Sequence, residues 1–431
     1  MPLHVTARVA LVSLFALGAA ACGGAVAGGG ASSDGGPGQD SGLPDVIGTQ
    51  LDSGNGIPPG YDGGPITTDS GPPPSGDTCA TPGVQCVTPP TAPTGPTNAP
   101  SPTAQQFAVH TLYMGDTDRT GVTSYQAWES FGYNLDNLVT TKSSTDVCTL
   151  AVGASKTTQI DGVGGIDNSF GENILPILIT TAGSSFSTTL NDSIQAGTFT
   201  MLFYTVGFDD TPGSTATTSG LTGALLGGGD YATVNGGAAP AFNATTHWPI
   251  LPGTLNGCPN QVCPPGTNPV NAAMTQFPAA YQQTGTWVSG LSSSAFTLTL
   301  GLGGQPLPLV IHDGVVTFAP SSTTTGAVTN GTIAGVLETT ELINSFKSVA
   351  GNISMSLCSG SAFDSIAQQL TQASDIILNT TTGAVSNTAG ISCNAISIGL
   401  GFDALEVALP GSSDIAGPTP PTPDPCGDAG Q

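Results

Sequence analysis

The stretch PLPLVIHDGVVTFAP, residues 306–320, sets two apolar, β-branched runs on either side of His312-Asp313-Gly314. Asp-Gly between such runs is a strong short-range hairpin signal, so the stretch predicts two strands joined by a tight turn. Working outward, FAVHTLYMG (107–115), TFTMLFYTVGF (198–208), TWVSG (286–290), AFTLTLG (295–301) and AISIGLGFDALEVAL (395–409) are similar. Each is short, β-branched or aromatic, and bounded by Gly, Pro, Asn or Asp, as strands are.

Helical signals are fewer. SSFSTTLNDSIQAG places Phe186, Leu190 and Ile194 four residues apart, begins with Ser and has Gly197 just past its end. SAFDSIAQQLTQASDII places Phe363, Ile366, Leu370 and Ile377 on one side, and ELINSFKSVAG is a shorter candidate. These are amphipathic spacings with start and stop residues. Strands at both ends of the region with helices between them predict a mainly β fold, an antiparallel β-sandwich of jelly-roll or lectin-like form. Its first and last strands are expected to be neighbours.

The chain as a whole divides by composition. Residues 105–417 form the expected β-rich domain, and 418–431 a flexible tail. Residues 23–104 are Gly, Pro, Ser, Thr and Asp with no Lys or Arg and one aromatic, Tyr61. Such a segment cannot bury enough apolar surface to offset chain entropy, so it reads as a disordered tether with a reach of about 50 Å. Asp34, Asp40, Asp52, Asp62 and Asp69 recur in it at irregular spacing, which suits a soluble, self-repelling spacer.

The first 22 residues, MPLHVTARVALVSLFALGAAAC, carry one cation at Arg8 and an apolar run from Val9 to Ala21. This is an export-signal layout, too short to span a bilayer. The Ala19-Ala20-Ala21-Cys22 ending resembles a bacterial lipobox, with Ala where Leu is commonest. The resemblance implies removal of residues 1–21 and lipidation of Cys22, palmitate included. Gly23 after the cysteine implies the outer membrane or cell surface. GDTDRTG (115–121), GIDNSFG (165–171) and ISIGLGF (396–402) are similar to segments of uncharacterised exported bacterial lipoproteins, a group that implies no activity.

Eight further cysteines, Cys79, Cys86, Cys148, Cys258, Cys263, Cys358, Cys393 and Cys426, are an even number in a chain expected to be exported, which suggests disulfides. Cys79 with Cys86 and Cys258 with Cys263 are the natural local loops. Cys358 with Cys393 is plausible and would leave Cys148 with Cys426, although eight cysteines allow about 105 pairings. A zinc reading of CPNQVC lacks a second Cys or His pair.

Charge narrows the partners. There are 29 Asp and Glu against 5 Lys and Arg, a formal net charge of -24, and only 8% of residues are charged. A chain this poor in cations cannot neutralise a phosphate backbone and is repelled by anionic headgroups, so nucleic acid is excluded as a partner. The carboxylates, lacking basic partners, are expected at turns, caps or divalent cations. In GDTDRTG, Asp116, Asp118 and Thr120 before Gly121 match the first half of a calcium loop. The twelfth position is Ala127 rather than Glu, so a second donor set is needed, and Asp161, Asp167 and Asn168 are the candidates. Structural Ca2+ is the only cofactor this suggests; the alternative is a pair of Asx turns.

Catalytic signals are sparse. There is no GxSxG elbow, and of the histidines of the folded region, His110, His247 and His312, the first lies in a strand pattern and the last in a turn, so both read as structural. Glu129, Glu172, Glu338, Glu341 and Glu406 show no paired spacing, and Glu338 and Glu341 suit a helix start. Trp128, Trp248 and Trp287 could form a sugar platform but are expected in the core. The favoured reading is a non-enzymatic, lipid-anchored envelope module that binds glycan or another envelope component. The alternative is a polysaccharide hydrolase whose carboxylates are gathered only by the fold.

Overall fold

The computed structural model describes residues 78–81, 84–182, 186–290, 295–302, 305–353, 357–358 and 361–418, all within the unit Ser53–Gln431. The signal segment, Cys22, most of the tether and residues 419–431 lie outside them. Among the described residues there are eleven strands: β1 (Ala104–Tyr113), β2 (Thr200–Val206), β3 (Thr218–Gly228), β4 (Thr275–Gln283), β5 (Thr286–Val288), β6 (Phe296–Leu302), β7 (Gln305–Pro320), β8 (Ala327–Glu338), β9 (Ile377–Leu378), β10 (Val385–Ser386) and β11 (Ala395–Val407).

These strands form a barrel, which corrects the expected sandwich. The sheet runs β5-β4-β3-β2-β1-β11-β8-β7-β6, and β5 also pairs with β7. Trp287 opposite Phe318 and Val288 opposite Thr317 make that joint. Eight strands therefore close on themselves in chain order, all antiparallel, with β6 extending from the first half of β7. First and last strands do pair, Gln106 opposite Val407 through Tyr113 opposite Gly401. Closure removes the free edges that a sandwich leaves.

The hairpin expected at His312–Gly314 is likewise corrected. β7 runs unbroken from 305 to 320, and the ladder to β8 slips between His312 and Val315. Asp313 takes a positive φ of 48°, and a Cβ on Gly314 would collide with the Phe296 ring. Asp-Gly here makes a β-bulge, which needs the same backbone freedom as a turn.

An eight-stranded barrel is just wide enough for side chains to fill it. Phe318 sits at the centre of this one, with Trp287 stacked at 4.7 Å and Phe208, Phe203, Phe107 and Phe402 at ring-centroid distances of 5.4 to 6.2 Å. Phe208 enters from the β2–β3 connection, which Gln282 holds by bonding both the N–H and the carbonyl of Asp209. At the other end, two long connections carry helices. Between β1 and β2 lie α1 (Leu175–Ala182) and α2 (Phe186–Ala196). Between β8 and β11 lie α5 (Thr339–Ile353) and α6 (Ser361–Gln372); α3 (Tyr231–Val234) and α4 (Pro269–Ala272) are single turns. Leu190, Ile194, Leu342, Phe346 and Leu370 extend the interior core.

The outer faces are covered too, so the strands are apolar on both sides rather than alternating. Leu202, Ala224 and Leu226 pack under Trp248, Ile250 and Leu255. Around the barrel, Val288, Val315 and Ala334 lie under Val87, Tyr133 and Ile166. The described part of the segment read as tether thus lies on the domain: Asn134 donates its N–H to the Val87 carbonyl, and Tyr281 its hydroxyl to Pro90.

Disulfides join Cys79 to Cys86, Cys258 to Cys263, and Cys148 to Cys393. The first two are the expected local loops. The third overturns both the Cys358–Cys393 and the Cys148–Cys426 expectation; Cys358 is itself disulfide-bonded. Parallel pairing of Thr149 with Ser392 lays the two cysteine-bearing segments side by side, which sequence separation concealed.

Candidate functional site

Three glycine-rich segments that stand out in the sequence meet at one junction. In GDTDRTG, the Asp118 Oδ1 accepts the N–H and hydroxyl of Thr120 and the N–H of Val122, an Asx turn that fixes the loop. Arg119 then turns inward. Its guanidinium lies 5.0 Å from the centroid of Phe131 and 5.7 Å from that of Tyr113, two rings stacked on each other, and its Nη2 donates to the Gly331 carbonyl and Thr332 hydroxyl. Burial depresses its pKa, and the ring faces offset part of that desolvation.

In GIDNSFG, Asn168 is fully buried. Its Nδ2 donates to the carbonyls of Trp128, Phe131 and Gly399, and its Oδ1 accepts from the N–H groups of Gly171 and Gly399. Gly171 is the second residue of the π-helical turn Phe170–Ile174 that leads into α1. In ISIGLGF, Gly399 and Gly401 belong to β11, where a Cβ would stand 2.1 Å from the Phe131 carbonyl oxygen or 2.3 Å from its ring. Only glycine lets the Phe131 loop press this closely on the sheet. The junction thus pins the 115–126 loop and the segment after it to the barrel wall.

The residues named for calcium divide between two places. Asp118 and Thr120 bond each other at the surface, and Asp116 accepts the Ser187 hydroxyl at 2.6 Å. Asp161 and Asp167 instead lie within residues 133–168, a covering segment laid over Val288, Val315 and Ala334, where they accept backbone N–H groups from Thr140 and Leu135, and Asn168 is taken up by the junction. Among the described residues, no group of three or more His, Cys, Asp or Glu side chains is placed to hold a metal ion.

Asp161 and Asp167 are joined there by two aspartates that no spacing marked. Asp136 accepts the Leu138 N–H and the Asn387 amide. Asp375, just before β9, accepts the N–H and hydroxyl of Ser397 on β11. Burial raises all four, Asp375 to about 7, Asp161 and Asp167 well above the usual carboxylate range and Asp136 upward, and repulsion adds to it, from Asp146 at Asp136 and from within the group at the other three. Hydrogen bonds to the ionised forms oppose the shift without cancelling it. Among the described residues the only ion pairs are His247–Asp414 and His312–Glu341, so no cation compensates these carboxylates.

Beside them, on the π-helical turn, half-buried Glu172 is raised to about 7 by burial, with smaller contributions from Asp375 and Glu129. Glu129, on the 3-10 turn Ala127–Ser130, is raised by burial as well. π-Turns are frequent at functional sites, and a carboxyl near neutrality can give or take a proton. Elsewhere Glu338 caps α5 through the Glu341 N–H, as expected of a helix start. Trp128, Trp248 and Trp287 are all buried.

No protein family, no curated protein and no solved structure matches the chain. Fold and site therefore define the class by themselves: a closed antiparallel barrel in a stapled shell of loops, with an enclosed group of carboxylates.

Proposed function

We propose that the protein is a lipid-anchored component of the bacterial envelope, held by Cys22 at the outer membrane or cell surface, whose barrel domain binds glycan or another envelope component without turning it over. The observation that carries this reading is the loop 116–126. Its base is tied by the Asp118 turn and by Arg119, yet it carries Tyr125 at 98% and Val122 at 61% exposure. A fixed loop that presents an aromatic face loses little conformational entropy on binding. A neutral sugar ring suits that face and a domain with an excess of carboxylates.

Glycan-array binding tests the reading. Tyr125→Ala is expected to weaken any glycan bound by the wild type about tenfold, the loss of one stacking contact of about 1.4 kcal/mol. Binding that ignores the substitution would remove the loop from the site. The anchor has its own measurement: metabolic lipid labelling is expected to disappear in Cys22→Ala, and label that persists would contradict lipidation there.

Glu172 supports a second reading, hydrolysis of a polysaccharide with this carboxyl as proton donor. Turnover of an arrayed glycan, lost in Glu172→Gln, would favour it over binding alone.

A further inference from the structure

Closure of the barrel leaves one strand of the large sheet outside the ring. β6 pairs with the first half of β7, from Phe296 opposite Ile311 to Leu302 opposite Gln305, and the β8 ladder reaches β7 only from Ile311 onward. Among the described residues no strand lies on the other side of β6. Its inner face is fixed, since Phe296, Leu298 and Leu300 belong to the interior core, while Thr297 is exposed and Thr299 half-buried.

The register decides which backbone groups face away from β7. Thr299 and Gly301 stand opposite Pro308 and Pro306. Proline has no N–H to give, so these are the pairs that exchange no bonds in an antiparallel ladder. Thr297, Thr299 and Gly301 therefore turn both N–H and C=O outward. The two edges of this arm differ. On β7 the corresponding positions include the two prolines, which blunt that edge, whereas AFTLTLG on β6 has no proline, no charge and no slip in its register. Sheets protect their edges with just those devices, so a regular edge that lacks them is a template for another strand.

The sequence narrows what that strand is. Residues 231–312, which include β6, hold no Asp, Glu, Lys or Arg in a chain whose formal net charge is -24. Two such acidic chains repel each other, and an uncharged edge is where they can approach; a partner drawn to the carboxylates would dock elsewhere. The edge is also its own complement. An antiparallel twofold through Thr299 sets this residue opposite its own counterpart and Thr297 opposite Gly301 of the other copy. Every outward-facing backbone group then meets one that also faces out, and threonine side chains meet across the pair.

We infer that β6 is a dimerisation edge, on which a second copy of this chain adds its own β6 antiparallel across a twofold axis. With the ring closed and the β7 edge blunted, pairing ends at two copies instead of growing into a fibre.

Sedimentation equilibrium of the full chain tests this, with Cys22→Ala in place so that no lipid can join copies. At about 100 μM, where a pair of micromolar dissociation constant is mostly formed, the mass of two chains is expected. Thr299→Pro withdraws an outward N–H without removing a bond to β7, and is expected to return the mass to that of one chain. Thr299→Cys is expected to give a disulfide-linked dimer on mild oxidation, because the Cα atoms of a bonded antiparallel pair stand about 5.5 Å apart. Thr297→Cys, which faces Gly301 instead of its counterpart, is expected to give about tenfold less. A parent chain that stays at the mass of one copy would overturn the proposal and leave the edge to a foreign strand. A dimer that survives Thr299→Pro would overturn it too, as would cross-linking no better at 299 than at 297. The parent mass and the two cysteine variants decide the matter even if the proline variant does not fold.

Discussion

Replacing Phe318 by Ala is expected to lower the unfolding free energy by about 4 kcal/mol, among the largest effects of any single substitution in this domain. The ring stacks on Trp287 with an interplanar angle of 14° and meets four other phenylalanines. Phe318 also lies opposite Trp287 in the short ladder that closes the barrel. Truncation removes the ring's apolar burial and leaves a cavity that the strands cannot collapse around, because closure fixes their spacing. Phe318→Leu keeps most of the volume and is expected to recover about half of the loss. Urea unfolding followed by tryptophan fluorescence measures both, since Trp287 reports directly on this contact. A cost under about 1 kcal/mol would mean that the interior is not packed around this ring.

The same contact explains why the barrel was not legible as a barrel. Sandwiches and barrels share short alternating strands and turn signals, and they differ here by one ladder of two residue pairs, β5 with β7. Nothing local to Thr286–Val288 says which strand it will meet. The six quoted stretches of β-branched and aromatic residues do become strands. β3, β4 and β8 were hidden because TSGLTGALLGG, TQFPAAYQQ and AVTNGTIAGVLE carry the Gly, Pro and Asn that usually mark loops. Their glycines make room instead: Gly223 receives the edge of Trp287, Gly228 that of Trp248, and Gly331 the ring of Phe402. A glycine that accommodates a distant aromatic looks, in sequence, like one that breaks a strand.

The site was legible in its parts and not in its assembly. GDTDRTG, GIDNSFG and ISIGLGF were visible as glycine-bracketed segments, but their meeting at Phe131 depends on contacts across more than two hundred residues, such as Asn168 with Gly399. Asp136 and Asp375 gave no motif, because a carboxylate enclosed by a distant strand needs no special neighbours in sequence. The only sign of them was the shortage of Lys and Arg, which left carboxylates without partners. Oxygen ligands spaced along a loop suggested calcium; the fold gives Asp161 and Asp167 backbone amides and other acids.

The Cys148–Cys393 bridge ties that enclosure together, and its removal is the second large expected effect. It joins the cover to the residues just ahead of β11 across a sequence separation of 245. Cross-linking so distant a pair removes much of the unfolded chain's freedom, about 5 kcal/mol by loop-closure entropy and about 4 kcal/mol after the usual shortfall. Cys258–Cys263, closing a separation of 5, is worth about 2 kcal/mol on the same reasoning. The double variant Cys148→Ser, Cys393→Ser is therefore expected to lose about twice as much stability as Cys258→Ser, Cys263→Ser. Thermal and urea unfolding of the two measures the ratio, and equal losses would contradict an origin in chain entropy. The bridge is also linked to Asp136: Asn387 accepts the Cys148 N–H and donates to the Asp136 carboxylate. Without the bridge, residues 133–168 keep the apolar contacts of Tyr133, Leu135 and Ile166 and the Asn387–Asp136 hydrogen bond.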